Sequence, residues 1–223
     1  MKSFTLILIS VLLSIVFFQG CSLKSPENQW EYNSSNAFNS YKKSFLINEE
    51  ELAKSDLQRA IKYAKQSADL RQLSRIYLGV CALNISVGEE QGCANYKKIE
   101  ALINSLELRS YFLMLTNKIT KEQENQLLYL PKQYQSFAKY RLLKKYDLAF
   151  ESIKSMEQIS SQFIAASLIK KELKKSDIKY LIKTASFYGY KKLVLFWLDN
   201  LYKIEDNLEK KNLILRKINI LKI

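Results

Sequence analysis

The sequence predicts an all-α fold, in which antiparallel helical hairpins stack side by side as an α-solenoid or another helical array. Three observations predict it. Only five glycines and two prolines occur in 223 residues, whereas all-β folds need both residues at their many turns. Apolar residues recur at three- and four-residue spacing along most of the chain, which is the period of one helix face. The polar interruptions between these segments are short, and connections of a few residues force successive helices to pack antiparallel.

The N-terminus stands apart from this pattern. A polar start with Lys2 precedes an apolar run from Phe4 to Phe18, followed by the sequence Phe18-Gln19-Gly20-Cys21. The layout is that of a secretory signal peptide, and the run falls short of the roughly 20 apolar residues needed for a permanent membrane span. These residues resemble the lipobox signal of bacterial lipoproteins, in which a small residue precedes a cysteine that is diacylated and becomes the new N-terminus. Phe18 stands where leucine is usual, and Gln19 where a smaller residue is usual. The resemblance covers residues 1–21 and implies removal of residues 1–20, lipid on Cys21 and a membrane-anchored protein facing the periplasm. Ser22 takes the place of the aspartate that retains better-known lipoproteins on the inner membrane, so the outer membrane is expected. An uncleaved anchor with an incidental cysteine is the alternative.

Residues 21–33 are rich in Lys, Ser, Pro, Glu and Asn, a composition that reads as a flexible tether. Residues 34–223 are expected to form the helical domain. Leu57, Ala60, Ile61 and Ala64 predict a helix capped by Ser55 or Asp56. Leu73, Ile76, Tyr77, Val80 and Cys81 predict a second, opened by Asp69 and closed near Gly88. A third runs from about Cys93 through Tyr96, Ile99, Leu102, Ile103 and Leu106. Thr120 with Gln123 suggests a capping box, and Pro131 breaks the helix that follows it. Downstream, Tyr134, Phe137, Ala138 and Leu142 form one stripe, Leu148, Ile153 and Met156 the next, and Phe163, Ile164, Ala166 and Leu168 another. Ser176-Asp177 caps a helix containing Ile178, Leu181 and Ala185, which Gly189 ends. Leu193, Val194, Phe196, Trp197 and Leu201 belong to the next, and Leu208, Leu213, Leu215, Ile218 and Leu221 to the last.

Within this pattern Tyr140, Tyr146 and Ala149 resemble part of a tetratricopeptide repeat, with Tyr140 late in a first helix and the small Ala149 where the second helix passes close. Ala185, Gly189 and Leu201 fit a second unit more loosely, with Val194 where alanine is usual. No regular 34-residue period runs through the chain. The resemblance implies binding of protein or peptide on a concave face and no catalysis.

Charge is unevenly placed. Residues 21–130 carry 14 Lys+Arg against 13 Asp+Glu, whereas residues 131–223 carry 20 against 9. Such a basic half attracts anionic lipid, envelope polymer or an acidic partner, or merely clothes helices in solvated lysines. Nucleic acid is not an expected partner of an exported chain, and oligomeric state is left open. Histidine is absent altogether, which excludes Ser-His-Asp and Cys-His catalysis and zinc-protease motifs. The scattered glycines exclude phosphate-cradling loops, and no cofactor is expected. One enzymatic alternative survives: Glu151-Ser152 weakly resembles the Glu-Ser pair of lytic transglycosylases, without their downstream glycine motifs. The leading expectation is a noncatalytic adaptor for another envelope protein, and a structural lipoprotein lying on anionic polymer is the third.

With Cys21 given to lipid, Cys81 and Cys93 remain, in a compartment where disulfides persist. They lie six residues before and six after Val87, at matching heights on a hairpin. That spacing permits the roughly 4.4–6.8 Å Cα separation of a disulfide. Two buried free thiols are the alternative.

Overall fold

A computed structural model describes residues 28–89 and 93–223. The expected signal segment and Cys21 lie outside the described residues. Among those described there are eleven α-helices and no strand: α1 (Gln29–Ile47), α2 (Glu50–Ala64), α3 (Arg71–Ser86), α4 (Ala94–Ile99), α5 (Leu106–Leu115), α6 (Lys132–Leu142), α7 (Tyr146–Lys154), α8 (Ile159–Leu168), α9 (Lys175–Phe187), α10 (Lys191–Ile204) and α11 (Leu208–Lys222). Short 3-10 turns cover Glu100–Leu102, Lys121–Tyr129 and Lys170–Glu172. The protein is all-α.

Five helices end by one device. Asn48, Gly88, Asn117, Lys144 and Gly189 take positive φ after α1, α3, α5, α6 and α9. In each case the next residue's N–H reaches back to a carbonyl in the last helical turn: Glu49 to Ser44, Glu89 to Asn84, Lys118 to Leu113, Lys145 to Tyr140 and Tyr190 to Ala185, at 2.8–2.9 Å. These bonds satisfy carbonyls that a helix end would otherwise leave bare. The chain therefore reverses within a few residues, and α1 packs on α2, α6 on α7 and α9 on α10 as hairpins.

Contacts far apart in sequence join the hairpins. α3 packs on α8, and α10 reaches α1. A linear solenoid makes contacts between adjacent repeats alone, so these pairings draw the first and last parts of the array onto one core. That core runs from Tyr41 to Ile218 and includes Trp197, Phe137, Phe163, Leu181 and Leu193, all fully buried. Burying a side chain of this size contributes about 1.5–3 kcal/mol. A smaller cluster of Ala37, Ala60, Ala64, Leu73 and Ile76 fills the space between α1, α2 and α3.

Polar contacts fix how the pieces meet. Ser167 Oγ in α8 donates to the carbonyl of Ser86, the last residue of α3, at 2.9 Å. The Phe196 ring of α10 lies against Gly88, where an added Cβ would stand 2.6 Å from Cε2. Lys192 Nζ sits 4.3 Å from the Phe45 ring centroid, within 4.0 Å of Glu50 and 3.9 Å of Glu89. At the other end, Glu205 Oε1 accepts the N–H groups of Asp206 and Asn207 at 3.1 Å each and the Lys175 ammonium at 3.3 Å. The Asn207 N–H foremost, and Lys175 after it, hold the Glu205 carboxyl below its ordinary range.

Several expectations are corrected. α1 starts at Gln29, inside the span read as a tether, and it was not foreseen as a helix because its inner face includes Ser34 and Ser44. Asp56 is not a cap: α2 begins at Glu50, and Asp56 is buried in its middle, accepting from Ser44 Oγ at 3.2 Å and pairing with Arg59. The helix expected from Cys93 to Leu106 breaks after Leu102, and Ser105 caps a separate α5 by accepting the Leu108 N–H at 3.3 Å. Thr120 makes no side-chain cap bond, and a 3-10 segment follows it. Asp177 lies in the first turn of α9 and accepts the N–H of Lys174 at 2.9 Å. Leu148, Leu208, Leu213 and Leu215 are exposed, while Ile214 and Ile218 are the buried residues of α11.

Ser167→Ala removes the donor from a buried carbonyl, and an unsatisfied buried acceptor costs about 1–3 kcal/mol. Urea unfolding is expected to show a lower midpoint with an unchanged slope. An unchanged midpoint would mean that the α3–α8 contact does not depend on this bond.

Candidate functional site

The ends of α3, α5, α6 and α8 converge on a cleft of about 1110 Å³. Small-ligand pockets run to roughly 1,000 Å³, so this one has room for more than a compact metabolite. Leu115, Ile119 and Ile169 form an apolar floor continuous with the core. Among the described residues five cations also line the cleft, Lys97, Arg141, Lys144, Lys170 and Lys171, against the acidic Glu89 and Glu172. A second cleft, about 280 Å³, lies beside α1 and α3, but its charges answer each other through the Arg75–Glu31 pair at 3.6 Å.

Arg141 is the best-held cation of the main cleft. Its Nη1 donates to the Asn117 side chain at 2.8 Å, and both Nη1 and Nη2 lie 3.3 Å from the Met114 carbonyl. The guanidinium also faces the Phe137 ring, 5.4 Å from its centroid. Burial pushes it down to about 10, which leaves it charged at neutral pH. Among the described residues no carboxylate pairs with it, nor with Lys97, Lys144, Lys170 or Lys171.

Helix ends offer a simpler account of these charges, since each C-terminus carries about half a negative charge that favours nearby cations. Four ends would then supply about −2 against a side-chain excess of three positive charges. Carbonyls in the last turns of α3, α5 and α6 are already served by backbone N–H groups, and that of Ser86 by the Ser167 hydroxyl. Arg141 alone among the five donates to a helix end within the described residues. Lys170 lies over the Phe196 ring, 5.9 Å from its centroid, and Lys97, Lys144 and Lys171 line the cleft without a carboxylate partner among the described residues.

Lys144 adds a conformational observation. Its φ is +56°, in the left-handed region that costs a side-chain-bearing residue about 1–2 kcal/mol. Glycine and asparagine, which the chain uses at the equivalent caps, occupy this region more readily.

The sequence-expected residues fall in different places. Cys81 is fully buried on α3 and Cys93 precedes α4 at the edge of the cleft. Their Cα atoms are 4.8 Å apart and the two are joined as a disulfide. Cys21 lies outside the described residues. Glu151 does not face the cleft: it is exposed on α7 and pairs with Lys154 at 2.7 Å. Among the described residues no group of three or more metal-ligating side chains occurs, and no helix is long and apolar enough to cross a membrane. The cleft itself was not foreseen, because its lining comes from separate helix ends and from no local motif.

The chain matches no protein-family model, no curated protein and no solved structure.

A disulfide between Cys81 and Cys93 closes a short loop, for which the chain-entropy model gives about 3 kcal/mol of stabilisation. Mass spectrometry of nonreduced, alkylated protein is expected to find both cysteines unmodified and their peptides linked. Alkylation at both sites without reductant would refute the pairing.

Proposed function

We propose that the chain is a lipid-anchored envelope protein acting as a noncatalytic adaptor, and that it holds a segment of another envelope protein in the cleft between α3, α5, α6 and α8. The observation that carries the reading is the cleft itself, which combines an apolar floor with five cations that lack carboxylate partners among the described residues. An apolar surface supplies contact area, and fixed charges supply orientation and selectivity. Neither feature brings together the acid, base or nucleophile that a reaction needs.

The tetratricopeptide resemblance agrees with this role. Ala149 and Ala185 are fully buried in the α6–α7 and α9–α10 hairpins, where that repeat places small residues at close helix contacts. A plain helical bundle would bury them too. The transglycosylase alternative draws no support from Glu151, since a catalytic acid is kept protonated by an apolar setting and this carboxylate is exposed beside a lysine. The lipid on Cys21 belongs to the same proposal and rests on the resemblance of residues 1–21.

Affinity purification of the full chain from detergent-solubilised envelopes is expected to bring down a stoichiometric protein partner. Cys21→Ser is expected to abolish fatty-acid labelling and to leave the precursor unprocessed. Release of muropeptides would point to the enzyme. Salt-sensitive sedimentation with envelope polymer, in the absence of a partner, would point to a structural lipoprotein.

A further inference from the structure

We infer that the segment held in the cleft is an acidic peptide with apolar residues among its carboxylates, a statement that rests on the adaptor reading and specifies its partner. Leu115, Ile119 and Ile169 line the cleft together with Lys97, Arg141, Lys144, Lys170 and Lys171. A ligand complementary to that surface carries both anionic groups and aliphatic side chains. The cleft is too large for a lone anion, and among the described residues its two acids do not match its five cations in number. Glu89 is moreover drawn to Lys192 at 3.9 Å on the side of α10.

Two features set this lining apart from an ordinary solvated lysine face. Arg141 is half-buried, oriented by Asn117 and Met114, and stacked on Phe137. Its Nη groups are engaged by Met114 and Asn117, so what it offers a ligand is a positive charge held in place beside the cleft, which favours a carboxylate. The second is Lys144, where a lysine occupies a left-handed helix cap at φ +56°. The other caps of this kind are asparagine or glycine. A strained conformation retained beside a cleft is explained when the side chain it presents has a task there. The task assigned here is contact with a carboxylate.

Lys144 also separates the functional account from a structural one. Lys144→Gly relieves the backbone strain and removes one charge, so it is expected to keep or raise the thermal midpoint while it weakens an acidic ligand. The test uses the full chain in detergent and a short fluorescein-labelled peptide of glutamate and leucine, followed by fluorescence anisotropy. A second probe carries glutamine at every glutamate. The acidic probe is expected to bind about tenfold more tightly than the neutral one, with the difference shrinking as salt is raised. Lys144→Gly should weaken the acidic probe about threefold, as should the exposed Lys171→Gln, the range that single surface charges give. Arg141→Gln should weaken it further, read alongside its thermal midpoint because the side chain also serves Met114. Equal binding of the two probes, no binding of either, or an Lys144→Gly protein that is fully folded and binds the acidic probe unchanged would each overturn the inference. The two readings fail separately. A captured partner indifferent to Lys144→Gly and Lys171→Gln sinks the acidic peptide alone, whereas charge-selective probe binding with no captured partner sinks the adaptor.

Discussion

The packing of α3 against α8 is the constraint on which the rest of the structure depends. These helices are far apart in the chain, and the Ser167 hydroxyl joins them at the last carbonyl of α3, donor and acceptor standing 81 positions apart in sequence. Once that contact exists, Gly88 turns the chain beneath Phe196, and Lys192 gathers the ends of α1 and α3 around the start of α10. Cys93, Ala94 and Lys97 then line the cleft together with Ser167 and Leu168 at the end of α8. Without this long-range contact the hairpins would remain a row of neighbours, and the lining residues of the cleft would have no common centre.

Helix ends are where this architecture concentrates its polar chemistry. A helix interior satisfies its own backbone, so carbonyls that need partners appear where helices stop. Here several helices stop together. Left-handed caps serve carbonyls in the last turns, the Ser167 hydroxyl serves the end of α3, and Arg141 adds a side-chain donor at α5. The same arrangement explains how a protein without histidine, and with few glycines, can still present a defined surface. Its specificity would come from the position of charges around an apolar floor, not from reactive groups.

Much of the fold was legible because long apolar side chains carry a visible period. The helices holding Phe137, Phe163, Leu181 and Trp197 were readable for that reason, as was the stop at Gly189. α1 was hidden because part of its buried face consists of serine, and a buried serine looks like a surface one until its partner is known: Ser34 donates to the Ala60 carbonyl and Ser44 to Asp56. Asp56 misled for the same reason, since acceptors at helix starts are common and buried mid-helix aspartates are rare. In α11 leucine and isoleucine occur nearly all round, so periodicity could not choose Ile214 over Leu213 or Leu215. The cleft could not be read at all. Its residues are spread over elements whose meeting depends on the α3–α8 contact, and nothing in the local sequence around Lys144 marks it as a left-handed cap.

The functional account therefore rests on where the charges are, not on which residues are present. A basic C-terminal half permits many partners, whereas the cations and apolar side chains that share the cleft are the basis for proposing a ligand with carboxylates and aliphatic side chains. The measurement that tests this most directly is site-specific photocrosslinking in living cells, with a benzophenone amino acid placed at Ala94 on the cleft wall and, separately, at the exposed Leu213 on α11. The account predicts a crosslinked partner from Ala94 and none from Leu213. A partner crosslinked from Leu213 but not from Ala94 would contradict it.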